Sequence, residues 1–169
     1  MPRMKRSDEK GRTDSTAMNT APDRLVVVHM QDGNVIRGIL QLDGDPGGRD
    51  TLPHLPSVFH IQHEIGGSSS VVRVADSKAV FFVRTHQGDP AYEETKFSCG
   101  ETAPGLWVQV QLVDGEVLEG YVPNSIHWMI GPGLWLWPTD KLCNNTLIYV
   151  PKTSAVEFHV LGLTAFSWS

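Results

Sequence analysis

The stretch Val108–Val122, V-Q-V-Q-L-V-D-G-E-V-L-E-G-Y-V, indicates the fold class of this chain. Its first residues alternate valine or leucine with glutamine, and this period of two is typical of a half-buried β-strand. Asp114-Gly115 follows, a dipeptide that suits a tight type I′ hairpin turn. Apolar residues then return as far as Val122, interrupted by Gly120, and a glycine inside a strand marks a bend or a close backbone approach. The stretch predicts a β-hairpin whose second strand bends at this glycine.

The same pattern occurs 82 positions earlier, where Asp32-Gly33 corresponds to Asp114-Gly115 and Gly38 to Gly120. The correspondence continues at shorter offsets: Phe59 matches Leu134 at 75, and Val72 matches Ile148 at 76. The first copy therefore has a longer loop between its second and third strands. A turn, an internal glycine and apolar strands repeated in one order predict a tandem duplication.

Each copy contains five short apolar runs separated by turn residues, which is the pattern of an all-β chain. The predicted strands span 24–30, 34–42, 59–64, 71–75 and 79–84 in the first copy, and 107–113, 116–122, 134–137, 146–151 and 155–160 in the second. We therefore expect two tandem five-stranded small β-barrels at 24–87 and 105–164, joined by a linker at 88–104. Residues 1–23 are polar, charged and without periodicity, which predicts a disordered tail, and 165–169 form a C-terminal tail.

The net charge of −5 is unevenly distributed along the chain. Residues 24–87 carry six basic and six acidic side chains, whereas 105–169 carry two basic and five acidic ones. No region shows the basic excess that nucleic-acid binding usually needs, so we expect no nucleic-acid partner. No apolar run approaches the roughly 18 residues of a membrane span. The first residues also lack the apolar stretch of a secretory signal, so the expected location is the cytoplasm.

The candidate reactive residues do not form a recognisable catalytic or metal site. Cys99 and Cys143 belong to no CxxC pair, so neither a zinc site nor a disulfide scaffold is predicted. His60 and His63 lie on a predicted strand, where this spacing points them to opposite faces. We therefore expect a non-enzymatic protein without a cofactor or a metal.

Tryptophan is the compositional anomaly, because four of the five tryptophans lie in the second copy and the fifth, Trp168, lies in the tail that follows it. Trp135 and Trp137 alternate with leucines, and Trp107 lies on the face opposite Val108, which predicts aromatic side chains on the outer face. Such a face indicates an interface with the other copy, with a partner protein or homo-oligomer, or with a stacked base or sugar. The candidate binding residues are Trp107, Trp128, Trp135 and Trp137.

The chain resembles Sm-like barrels, or more loosely SH3-like barrels. The resemblance is carried by DGxxxxG at Asp32–Gly38 and Asp114–Gly120, and by the short turns at 76–78 and 152–154. The chain is also similar to an uncharacterised bacterial family with the same hairpin and a K-A-V-F-F-V segment, here Lys78–Val83.

The Sm-like resemblance implies RNA binding through loops with an Arg-Gly or Lys-Gly pair in the last tight turn. Here those turns read D-S-K at 76–78 and K-T-S at 152–154, without the glycine pair, so no RNA-binding residue is transferred. The expected function is a scaffold or regulatory adaptor built from duplicated Sm-like barrels, which binds a protein partner or forms a homo-oligomer. The alternatives are an Sm-like RNA-binding protein and a small-ligand-sensing barrel. A PilZ-type cyclic-dinucleotide barrel would show RxxxR followed by DxSxxG, and the sequence contains neither.

Overall fold

The computed structural model describes residues 24–42, 55–93, 105–124, 130–140 and 142–163. Within these ranges the chain forms ten β-strands and a short 3-10 turn at Val74–Asp76. The strands are β1 (Leu25–Met30), β2 (Val35–Gln41), β3 (Val58–Gln62), β4 (Ser69–Arg73), β5 (Ser77–Val83), β6 (Leu106–Leu112), β7 (Val117–Val122), β8 (Gly133–Pro138), β9 (Asn145–Pro151) and β10 (Ala155–Leu163). The all-β class is confirmed, and each predicted strand is present with somewhat different ends. The largest difference is in the fourth strand, predicted at 71–75, which spans Ser69–Arg73 and is followed by the 3-10 turn. The predicted tails and most of the predicted linker lie outside the described residues.

The ten strands form one continuous antiparallel sheet in the order β10-β6-β7-β8-β9-β5-β1-β2-β3-β4. The sheet is not closed, because β10 and β4 lie at its two ends. The expected division into two tandem barrels is therefore not confirmed. The physical reason is the β5–β9 ladder, which continues the sheet from the first half (β1–β5) into the second half (β6–β10).

The strand order is the same in the two halves. It is β5-β1-β2-β3-β4 in the first and β10-β6-β7-β8-β9 in the second. The internal glycines also have matching environments: a Cβ on Gly38 would lie 2.3 Å from the carbonyl oxygen of Gln62, and one on Gly120 would lie 2.3 Å from that of Trp137. A glycine is required at each position because the next strand approaches so closely.

The two hairpin turns differ from the predicted type I′ geometry. Gly33 and Gly115 have φ of 88° and 87°, but no described residue other than glycine has a positive φ, so each preceding aspartate does not adopt the type I′ conformation. Instead, the Asp32 carboxylate accepts a hydrogen bond from the Asn34 N–H, and Asp114 does the same for Glu116. The amides of Gly33 and Gly115 bond back three residues, which is typical of a type I turn followed by a glycine bulge.

The register of the fourth strand also differs from the predicted one. Phe59 lies opposite Val72 on β4, whereas Leu134 lies opposite Val150 on β9. Because Phe59 corresponds to Leu134, Val72 corresponds to Val150 at an offset of 78, and the predicted match to Ile148 at 76 is wrong. A shift of two residues keeps every side chain on its face, so the alternation in the sequence does not reveal it.

The sheet encloses two hydrophobic cores, and β5 contributes to both. Every residue of β5 except Lys78 is buried. The first core contains Val26, Val28, Leu40, Leu55, Phe59, Ile61, Val72, Val74, Val80, Phe82 and Tyr149. The second core contains Ala79, Phe81, Val83, Val108, Val110, Leu112, Leu118, Val122, Leu134, Leu136, Ile148 and Val150.

Candidate interaction surface

Three aromatic residues lie side by side on neighbouring strands of the second half. Trp107 on β6 is directly opposite Tyr121 on β7, which is directly opposite Trp137 on β8. They alternate with residues of the second core, so they occupy the other face of the sheet. Trp107 and Trp137 are half-buried, whereas Tyr121 between them is buried. We call these three residues the aromatic row.

A carboxylate borders the aromatic row and holds one of its indoles. The Nε1–H of Trp107 donates to one oxygen of Glu119 at 3.1 Å. The side-chain amide of Gln109 donates to the other oxygen, also at 3.1 Å. Because both oxygens of Glu119 accept a hydrogen bond, the orientation of the Trp107 ring is fixed. A ring that is already fixed loses less side-chain entropy when it binds a partner.

Trp135 serves a different role from the aromatic row, because it joins the two halves. Its ring centroid lies 4.8 Å from that of Tyr149 in an edge-on arrangement and 5.7 Å from that of Phe82 on β5. It packs against the first core, and burial raises the pKa of the Tyr149 hydroxyl. The predicted set of four tryptophans is thus divided: Trp107 and Trp137 share the row, Trp135 is an internal contact, and Trp128 lies outside the described residues.

Tyr121 is the member of this surface that the sequence analysis missed. It is buried, with 8% of its surface exposed, between two tryptophans. The predicted type I′ turn would pair Val113 with Glu116 and therefore Trp107 with Val122, whereas the observed glycine bulge places Tyr121 opposite Trp107. The tryptophan pattern alone does not identify Tyr121.

A partly buried lysine links the two halves electrostatically. The Nζ of Lys78 on β5 donates to Asp114 at 2.7 Å and to Glu116 at 2.5 Å, both in the β6–β7 turn. Burial lowers the pKa of Lys78, but its hydrogen bonds to the two carboxylates outweigh this and raise the pKa overall. The hydrogen bond from Lys78 is also the main reason that the pKa of Asp114 is lowered.

Further hydrogen bonds join the halves outside the β5–β9 ladder. The side chain of Asn144 accepts from the Thr85 N–H and donates to the Thr85 carbonyl oxygen. The hydroxyl of Ser154 donates to the Lys78 carbonyl oxygen at 2.6 Å. Together with the ladder, these contacts fix the position of one half against the other.

The histidine and cysteine candidates do not assemble into a metal site in the part of the chain that the structure describes. No group of three or more histidine, cysteine, aspartate or glutamate side chains there is placed to hold a metal ion. His60 is exposed on β3, while His63 lies beyond the strand with its Nε2 2.8 Å from the Ser70 hydroxyl. Cys143 is buried and its thiol donates to the Asn145 carbonyl oxygen, whereas Cys99 lies outside the described ranges. None of the described helical segments is long and apolar enough to cross a membrane.

Comparison with known proteins places the chain in a family without assigning an activity. A model described as a family of unknown function, DUF6982, matches residues 23–162. The match covers both halves of the sheet, and the chain belongs to this family. No curated protein and no solved structure matches the chain.

Proposed function

We propose that this member of the family is a non-enzymatic interaction module, a scaffold or regulatory adaptor built from two fused Sm-like units. The observation that carries the proposal is the aromatic row of Trp107, Tyr121 and Trp137. Tryptophan and tyrosine are enriched at the energetic centres of protein interfaces because they bury a large area at a small entropic cost.

The surroundings of the row favour a protein partner. Glu119 and Gln109 provide polar groups at its border, and a polar rim around an aromatic centre is typical of interfaces. On β10, Gly162 lies opposite Trp107 and leaves one side of the indole without a covering side chain from that position. The half-buried rings of Trp107 and Trp137 therefore offer aromatic area beside hydrogen-bonding groups, with Tyr121 buried between them.

The two-unit architecture is supported by three matching features of the halves. They share one strand order, the same aspartate–glycine turn and the same close approach at Gly38 and Gly120. We infer that duplication of one small barrel produced the chain. The two units then became one body through the β5–β9 ladder.

Affinity capture with matched variants tests the proposed partner surface. The full chain is used as bait in a lysate of its source organism, in parallel with Trp107→Ala, Trp137→Ala and Val35→Ala. Val35 is an exposed valine on β2 of the other half and serves as the control. We expect a protein that is enriched by the wild type and the control but lost with both tryptophan variants.

Calorimetric titration of the purified partner then measures the loss directly. Truncating an aromatic residue at the centre of an interface costs on the order of 2 kcal/mol or more, which is about thirtyfold in affinity. Equal affinity of the partner for the wild type and for Trp107→Ala would contradict the assignment of this surface.

RNA binding is the alternative that the same row supports, since aromatic side chains also stack bases. Stacking surfaces usually lie beside a positive groove, however, and the second half has Lys141 and Lys152 as its only basic residues. The row therefore favours a protein over a nucleic acid.

A further inference from the structure

The two end strands of the sheet are the basis of a second inference, which does not depend on the aromatic row. In the part of the chain that the structure describes, β4 has β3 as its one neighbour and β10 has β6. The outer edge of an end strand is a template for pairing with another strand. Natural edges are usually protected by lysine, proline or shortness, but β10 is nine residues long and contains neither residue. It does carry two bulges in its ladder with β6.

The end strands occupy the same positions in their halves as the two strands that pair at the centre. Val80 on β5 lies opposite Val28, and Phe158 on β10 lies opposite Val110. Because β1 corresponds to β6, β10 corresponds to β5. By the same argument β4 corresponds to β9, since each pairs with the third strand of its half. The central β5–β9 ladder therefore joins the fifth strand of the first half to the fourth strand of the second half. The ends of the sheet are formed by the complementary strands, which are the fourth strand of the first half (β4) and the fifth strand of the second half (β10).

Apolar side chains that are buried at the central ladder have exposed counterparts at the ends. Val160 on β10 corresponds to Phe82 on β5, and their exposed fractions are 51% and 6%. Val71 on β4 corresponds to Tyr149 on β9, with 61% and 4%. A strand paired at each end would cover these apolar residues, as the central ladder covers their counterparts.

We propose that copies of this chain assemble head to tail, with β10 of one copy pairing antiparallel with β4 of the next in the register of the β5–β9 ladder. Val80 lies opposite Tyr149 and Phe81 opposite Ile148 in that ladder. The corresponding pairs between copies are Phe158 with Val71, and His159 with Ser70. Such a contact uses two different surfaces of the chain, so it produces a closed ring when the rotation between copies closes, and an open filament otherwise.

The pairing would also complete the second core. At the central ladder, Tyr149 belongs to the first core, and Trp135 and Leu147 pack against that core. The second half therefore covers the first core on the side where β5 pairs with β9. At the corresponding open side of the second core lie Phe158 and Val160. The β4 strand of a neighbouring copy would cover them.

The contact between copies is weaker than the one within the chain, for a reason visible in the sequence. On the other face of the ladder, Glu157 and His159 of β10 take the positions of Ala79 and Phe81 of β5. The Glu157 carboxylate and the His159 imidazole lie 3.0 Å apart and are exposed. Burying these polar side chains costs more free energy than burying alanine and phenylalanine. Assembly is therefore reversible and depends on protein concentration.

Light scattering and native mass spectrometry of the full chain test the assembly. We expect a whole-number multiple of the 18.7 kDa chain mass at about 100 μM and dissociation on dilution. Val160→Lys and Val71→Lys each place a charge on one edge and should weaken self-association at least about tenfold. Val117→Lys is the matched control, because Val117 on β7 is as exposed as Val160 at 51% but lies away from both end strands, and it should assemble like the wild type. Circular dichroism establishes that each variant is folded.

Mixing the two edge variants gives the decisive result. Val160→Lys keeps an intact β4, and Val71→Lys keeps an intact β10. Each is expected to be monomeric alone, and the mixture is expected to form a one-to-one dimer that does not grow. A wild-type chain that is monomeric at about 100 μM would overturn the proposal. A mixture that stays monomeric, or a Val71→Lys variant that dimerises by itself through β10, would overturn it as well.

Discussion

At the scale of single residues, Gly38 and Gly120 set how closely the second and third strands of each half approach. A Cβ on Gly120 would lie 2.3 Å from the Trp137 carbonyl oxygen, which is backbone and does not move aside. We expect Gly120→Ala to lower the free energy of unfolding by about 1–3 kcal/mol through overpacking. Chemical denaturation measures this loss. Gly162→Ala is the control, because its Cβ would meet its nearest atom, on Trp107, at an ordinary 3.5 Å. An unchanged stability of Gly120→Ala would show that the strands are not this close.

Lys78 makes the stability of the protein depend on pH. The lowered pKa of Asp114 means that the contact stabilises the fold above about pH 4 and is lost as the pH falls through the folded-state value. The raised pKa of Lys78 means that its stabilisation is present below about pH 10 and is lost as the pH rises further. We therefore expect Lys78→Met to lower the thermal midpoint most between about pH 5 and 9.

The control for the thermal midpoint of Lys78→Met is an exposed ion pair on the surface. Arg73 and Asp76 are 3.9 Å apart and both exposed, so Arg73→Met should leave the midpoint nearly unchanged at every pH. If Lys78→Met behaved like Arg73→Met, the contact between the halves would have no net stabilising effect.

At the scale of elements, β5 is the strand that the two cores share. It is buried on both faces and has strands on both sides, whereas β4 has one neighbour among the described strands and is mostly exposed. We expect amide hydrogen exchange in Ser77–Val83 to be at least about tenfold slower than in Ser69–Arg73, because β5 opens only with global unfolding. Mass spectrometry of proteolytic fragments measures both strands together. Equal protection of β4 in a dilute, monomeric sample would contradict this ranking.

At the scale of the whole molecule, the shared cores predict that the halves do not fold independently. A fragment beginning at residue 105 lacks Ala79, Phe81 and Val83, which belong to the second core. Burial of side chains such as phenylalanine and valine contributes about 1.5–3 kcal/mol each, against a typical net stability of about 5–15 kcal/mol. We expect this fragment to be largely unfolded alone and to recover strand structure when mixed with residues 1–104, as measured by circular dichroism. Separate calorimetric transitions for the two halves of the intact chain would refute this view.

The charge of the molecule predicts weak binding to RNA. Affinity for nucleic acid depends on neutralised phosphates, and the chain has 14 basic residues against 19 acidic ones. We expect no binding tighter than about 10 μM to U-rich or A-rich single strands at physiological salt. Fluorescence anisotropy is the measurement. A sub-micromolar constant that weakens steeply with salt would favour the RNA-binding alternative, and its loss in Trp137→Ala but not in Arg73→Ala would identify stacking as the mechanism.

The strands and the internal glycines were predictable from the sequence because they depend on neighbouring residues. Alternating valine and glutamine specify the faces of β6, and the aspartate–glycine dipeptide indicates that β6 and β7 form a hairpin. The glycine bulge shifts the register of this hairpin by one residue from that of the predicted type I′ turn. The placement of Trp107 on the face away from the second core followed from the same alternation.

Which strands become neighbours was decided by the tertiary structure. The alternation of a strand reports its two faces but not what lies beside its edges, so the β5–β9 ladder, the continuous sheet and the shared cores did not follow from the pattern. The same limit explains the wrong offset on the fourth strand, since a slip of two residues leaves every face unchanged. The separation of Trp135 from the aromatic row also required the fold, because Phe82 is 53 positions away in the sequence and becomes its neighbour only when β5 pairs with β9.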